Sequence, residues 1–218
     1  MTLSKTGGLA ALLCAITYVI GFALLLTVFA PLNFGTANID PAQVVRFIDD
    51  GGASILIAWN LTIYVVNALA LAVLTVALAR RLAASRPGFA DVTRALGLIW
   101  ATLVLGAGMI ANVAVETAAH LFATDPDGAA QMWSVLRTVE LGLGGGNEIA
   151  GGAWIATVSL AASKGALLPR SITVLGLIAG VAGLATVIAP IGDAVGAVFG
   201  LGAIVWFVLV GWALLRTS

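Results

Sequence analysis

The carboxylates Glu116 and Glu148 and the chain's single histidine, His120, are the groups best suited to chemistry, because each lies within or beside a long apolar run. A carboxylate or imidazole in such a setting needs a partner, a proton or a task. Asn112, Glu116 and His120 are spaced four apart and so share one helix face. Arg137, Glu140, Gly144, Glu148 and Gly151 recur at spacings of three and four and share another. Asn60, Tyr64 and Asn67 form a third stripe. Such stripes suit acid–base catalysis or the binding of a polar ligand. A metal centre is disfavoured, since helical di-metal sites use Glu-x-x-His, whereas Glu116 and His120 stand one residue further apart. No metal and no other cofactor is assigned.

These stripes sit on elements whose length is set by a bilayer. Hydrophobic residues make up 61% of the 218 residues and charged residues 9%, too apolar for a water-soluble domain of this size. Spans of about 20 apolar residues are needed to cross. The runs predict six: about 8–30, 54–79, 95–118, one within 131–163, 171–189 and 194–215. Uninterrupted runs of this length exclude the alternating pattern of a membrane β-barrel. The fold class is therefore all-α, a single six-helix transmembrane domain over 1–218. The first run is longer than a signal peptide's apolar region and ends at Pro31, which favours a retained helix.

Lysine and arginine orient the bundle. With the N-terminus inside, Lys5, Arg80, Arg81, Arg86, Arg94, Lys164, Arg170 and Arg216 are cytoplasmic and only Arg46 and Arg137 lie outside. Both termini are then cytoplasmic. Asp40-Pro41 opens a short helix in the outer 31–52 loop, with Val44, Val45 and Ile48 on one side, expected to lie on the membrane surface. The fourth run is longer than a bilayer requires, and the stretch 142–146, four glycines and a leucine, is a place for it to kink. Gly192, Gly196 and Gly200, and Gly176 with Gly180, mark faces where helices approach closely, within the bundle or in an oligomer.

Counting inward from Arg94 and from Lys164 puts Glu116 and Glu148 at similar depth in the outer half. That predicts an outward-facing polar pocket with Glu116, Glu148 and Asn112 as its wall, His120, Arg137 and Glu140 at its rim, and Asn60 and Tyr64 nearby. Arg137, Glu140 and His120 read equally well as solvated surface groups, and Asn60 as interhelical hydrogen-bonding glue. Cys14 reads as a small core residue.

The segment Leu168-Pro169-Arg170-Ser171-Ile172-Thr173-Val174-Leu175-Gly176-Leu177-Ile178 resembles the entry to the fifth helix in the domain-of-unknown-function 4386 family, bacterial six-helix membrane proteins. The opening Gly7-Gly8-Leu9-Ala10-Ala11-Leu12-Leu13 is similar to that family's first-helix start. The resemblance implies the same six-span layout, and it carries no catalytic residues.

Several function classes are excluded. Ten basic and ten acidic residues give no electrostatic basis for nucleic-acid binding. One histidine rules out a bis-histidine haem, no serine sits in a nucleophile elbow, and there is no phosphate-binding P-loop. The expectation is a bacterial inner-membrane protein surrounded by lipid that binds, senses or transports a small molecule or lipid. An embedded enzyme using Glu116, Glu148 and His120, or an accessory subunit, is the alternative.

Overall fold

The computed structural model describes residues 2–216 except 37, 146–147 and 165–166, and at 145 and 189 the backbone alone. The described residues are helical throughout, with no strand among them. The helices are α1 (Leu3–Thr27), α2 (Pro41–Phe47), α3 (Ala53–Asn60), α4 (Asn67–Ala83), α5 (Pro87–Phe122), α6 (Pro126–Glu140), α7 (Ile149–Lys164), α8 (Arg170–Ala185) and α9 (Gly192–Arg216). Their starts are written locally. Asp40 Oδ1 accepts from the Ala42 amide at 2.9 Å and Asp125 Oδ1 from the Gly128 amide at 2.9 Å, each with proline at the first helical position.

Four stretches are long and apolar enough to cross a membrane: Leu3–Thr27, Pro41–Ala83, Pro87–Phe122 and Gly192–Arg216. Helices α7 and α8 have 16 residues each, about 24 Å, and pack against one another. The surface is inverted relative to a soluble protein. Leu26, Val187, Leu201 and Val181 are exposed, while alanines and glycines fill the helix contacts. Small residues inside and large ones outside suit a bundle whose solvent is lipid.

The start of α1 and the end of α9 meet at one end of the bundle, where Ser4 Oγ donates to the Leu214 carbonyl at 3.2 Å and Arg81 Nη1 donates to Ser4 Oγ at 3.1 Å. Arg86 Nη2 donates to the Lys164 carbonyl at 3.3 Å at that same end. Asp40, Asp49, Asp125 and Asp127 are exposed on elements at the opposite, distal end. Two aromatic cores stack along the axis between them. Near the termini, Trp100 stacks on Phe207 at 6.3 Å and Trp154 meets Trp206 edge-on at 5.6 Å. In the distal core Phe29, Phe34 and Trp133 gather about Trp59, with the Phe29 ring 4.7 Å from that of Trp59.

Three expectations are refined. The short helix α2 forms with its predicted cap, but Val44, Val45 and Ile48 are buried against α5 and α6, so its apolar face is taken up by the protein. Gly51, at φ 97°, turns the chain from α2 into α3, a conformation open to glycine. The fourth run does break, at Gly144, where φ is 149°, so α6 and α7 are separate helices; Gly146 of the expected kink lies outside the described residues. The predicted pair Gly176 and Gly180 does lie at close helix contacts, against Ser159 and against Gly152 and Ala156 of α7, but Gly196 does not. Gly152 faces the backbone of Gly180 and Gly183, and Gly8 faces that of Gly211, whereas a side-chain carbon at Gly196 would meet only the Thr186 methyl, at 3.8 Å.

Candidate functional site

The junction between the two aromatic cores holds a half-open cavity of about 170 Å³. Helix α1 contributes Tyr18, Gly21 and Phe22; the α3–α4 region contributes Trp59, Tyr64 and Asn67; α5 contributes Trp100 and Val104. Glu148 borders it, shortly after the Gly144 break. That break is why a carboxylate can reach the interior. The Glu148 amide donates to Thr186 Oγ1 at 2.9 Å, and the Thr186 hydroxyl donates to the Gly183 carbonyl at 2.7 Å, which ties the start of α7 to the end of α8. No described side chain hydrogen-bonds or ion-pairs with the Glu148 carboxylate.

The chain widens into a π-helical turn over Leu61–Val66, between two buried asparagines. Its extra residue per turn rotates the next helical residues out of the ideal register, so the predicted Asn60, Tyr64 and Asn67 stripe fans out. Asn67 Nδ2 turns to α1 and donates to Thr17 Oγ1 at 2.7 Å. Tyr64 borders the cavity with its ring while its hydroxyl donates to Glu140 Oε1 at 2.6 Å. Asn60 lines a second, smaller void of about 20 Å³ beside Arg137 and Glu140, large enough for one water molecule.

Arg137 and Glu140 are not a solvated rim. Glu140 is 2% exposed, and Arg137 Nη1 donates to its Oε1 at 2.7 Å and to its Oε2 at 2.5 Å. The guanidinium also lies 5.8 Å from the centre of the Phe34 ring, within cation–π range. With the Tyr64 hydroxyl, the pair forms a buried polar latch joining α6 to the turn between α3 and α4. It satisfies Glu140, and so leaves that carboxylate little capacity for a ligand.

The remaining predicted wall is dispersed. Glu116 and His120 are exposed and border neither cavity, and Asn112 is half-buried with its Oδ1 unpartnered among the described residues. Their shared face is real, but the face of α5 turned inward is the neighbouring one, Ala107, Ala111, Ala114 and Ala118, whose small side chains let α3 and α6 approach. The expected depth match fails for a second reason. Lys164 stands level with Arg86, which bonds its carbonyl, and not with Arg94. Measured from that level, Glu148 is about 24 Å along its helix and Glu116 about 45 Å along α5. His120 instead occupies the last turn of α5, where an imidazolium complements the helix dipole.

Tyr18, Phe22, Trp59 and Trp100 were hidden in the sequence because each reads as one more apolar member of its run. The signal that could have found them is the appearance of bulky aromatics where facing helices otherwise carry alanine and glycine. Together with Glu148 they make a half-open aromatic chamber with one carboxylate, suited to holding a ring-sized molecule. No family model matches the chain, and no curated protein or solved structure matches it either.

Proposed function

We propose that this is a bacterial inner-membrane protein that binds a small molecule in the chamber between its two aromatic cores, as a sensor or transporter. The observation that carries the reading is Glu148, a carboxylate without a partner among the described residues, aimed into an otherwise apolar cavity. Interior ionisable groups of membrane proteins are costly and mark ligand or ion paths. The cavity's volume of about 170 Å³ suits a ligand of ring size, since an apolar void of roughly 150 Å³ accommodates benzene. The runner-up, an enzyme built on Glu116, Glu148 and His120, needs those groups at one place, and they lie at different levels.

In this proposal six spans cross the bilayer: α1, α3 with α4, α5, α6 continued by α7, α8 and α9. Membership of the domain-of-unknown-function 4386 family belongs to the same proposal. The termini end is cytoplasmic, on the excess of lysine and arginine there, and α2 caps the outer end at the membrane surface. A membrane-impermeant thiol reagent applied to intact cells should label Asp127→Cys and leave Ser85→Cys unlabelled until the cells are opened. Cys14 is fully buried and should give no background. The reverse pattern would invert the topology.

The cavity itself is tested by filling it. Val104→Trp should abolish calorimetric binding of benzyl alcohol, a neutral ring-sized probe, while shifting Tm in detergent by only a few degrees. A larger side chain placed in an existing void avoids the strain of overpacking a filled core. If the unmodified protein gives no saturable heat with benzyl alcohol, or Val104→Trp binds as well, the chamber is not a binding site.

A further inference from the structure

We infer that the chamber's ligand is a small organic cation, an ammonium of about five to eight heavy atoms held by Glu148 against the rings of Tyr18, Phe22, Trp59 and Trp100. The inference rests on the cavity reading above and adds the charge and chemical class of the occupant.

It follows from which polar groups of the chamber are already engaged. Trp59 Nε1 donates to the Gly21 carbonyl at 3.2 Å, the Tyr64 hydroxyl to Glu140 at 2.6 Å, and Asn67 Nδ2 to Thr17 at 2.7 Å. These three present ring faces or spent donors to the cavity. The Tyr18 hydroxyl, the Trp100 indole N–H, the Asn67 side-chain oxygen and the Glu148 carboxylate are left, none with a hydrogen-bond partner among the described residues, and of these only Glu148 can carry a charge near neutral pH. No basic side chain lines the chamber. Arg137, the basic group nearest in the distal core, borders the other void and is engaged by both Glu140 oxygens.

The chamber thus holds one acidic group and no counter-charge. An anionic ligand would be repelled, and a neutral one would leave the carboxylate either to take up a proton or to stay unpaired in a low-dielectric space. A monocation neutralises it. Calcium and magnesium are poor candidates, because they require six or more oxygen ligands and the free side-chain oxygens here come from one carboxylate, one amide and one phenol. An ammonium asks less of its oxygens and gains from aromatic faces, which attract cations by their quadrupole. Four aromatic rings around one carboxylate meet that requirement. The Tyr18 hydroxyl can accept one N–H from a primary amine or leave its ring to a quaternary one.

The test is calorimetry on the intact protein in detergent with three matched probes: benzylammonium, benzyl alcohol and benzoate. Benzylammonium should bind at least tenfold more tightly than benzyl alcohol, and benzoate should not bind. Glu148→Gln should remove the cation's advantage, so that benzylammonium binds no more tightly than benzyl alcohol. Should that variant fail to fold, as judged by its Tm, Glu148→Asp serves instead, with a smaller loss of the cation's advantage over the alcohol. Equal binding of benzylammonium and benzyl alcohol to the unmodified protein would overturn the cation assignment while leaving the chamber a neutral binding site. A silent benzylammonium titration beside a positive benzyl alcohol titration does the same, whereas silence from both sinks the cavity reading as well. A cationic lipid headgroup offers the same chemistry as a free amine. Weaker benzylammonium binding in phosphatidylcholine nanodiscs than in uncharged galactolipid nanodiscs would assign the headgroup as occupant, and equal binding would assign the free amine.

Discussion

Arg137→Ala should destabilise the protein by about 3–5 kcal/mol, the cost of leaving a buried carboxylate without its counter-ion. Glu140 is 2% exposed and accepts from one guanidinium and one phenol, so removing the guanidinium strips its only charged partner among the described residues. The measurement is reversible unfolding in mixed micelles with increasing denaturing detergent. A paired change, Arg137→Met with Glu140→Leu, should restore most of the stability, because removing both charges also removes the need to solvate either. Tyr64→Phe should cost less, about 1.5–3 kcal/mol, as a single hydrogen bond to a charged acceptor. If Arg137→Ala unfolds like the unmodified protein, the latch does not hold α6 to the rest of the bundle. A double change no better than the single one would show that the loss comes from packing rather than charge.

The second large effect is expected at the contact of α7 with α8. Gly152→Leu should prevent recovery of folded protein, and Gly152→Ala should already lower Tm by several degrees. A carbon added at Gly152 would lie 2.6 Å from the Gly180 carbonyl oxygen and 2.7 Å from the Leu184 amide nitrogen. Both are backbone atoms of the facing helix, which cannot rotate aside as a side chain can, so the helices must separate. Overpacking costs about 1–3 kcal/mol where side chains can adjust, and more where only backbone is available to move. Gly196→Leu is the matched control and should change Tm little, since only a methyl group at 3.8 Å stands near it. Equal tolerance of leucine at the two positions would place the seam elsewhere.

That contrast shows what spacing alone can and cannot convey. The repeat Gly192, Gly196 and Gly200 is as regular as any in the chain, yet its members differ. Gly200 is buried, with Phe22 3.1 Å from where its side chain would begin, while Gly196 is nearly free. A four-residue glycine period says that a helix can be approached closely along one face. It does not say that another helix is there. The other predicted pair, Gly176 with Gly180, does meet a helix: Gly180 and Gly183 face Gly152 of α7, and Gly176 faces Ser159.

The same distinction separates the helices from the site. Elements were legible because their causes are local. Apolar runs set where helices can cross a membrane, Asp40-Pro41 set where one short helix starts, and a glycine-rich stretch set where the fourth run breaks. Glu148 was legible too, as a carboxylate in an apolar run close to that break. What only the tertiary structure decided is which face of each helix looks inward and which residues share a level. Asn112, Glu116 and His120 lie on one side of α5, but the alanine side next to it packs, because close approach gains more dispersion contact than a polar side could return. Depth was misjudged because basic residues mark the end of a span only to within a few turns: Arg86, rather than Arg94, is level with Lys164. The π-helical turn at Leu61–Val66 then re-aimed Tyr64 toward Glu140, a rotation that an ideal helical period cannot foresee. Composition and local capping act along the chain and are written in it, whereas the chamber arises from helix rotations and offsets settled by packing among elements far apart in sequence.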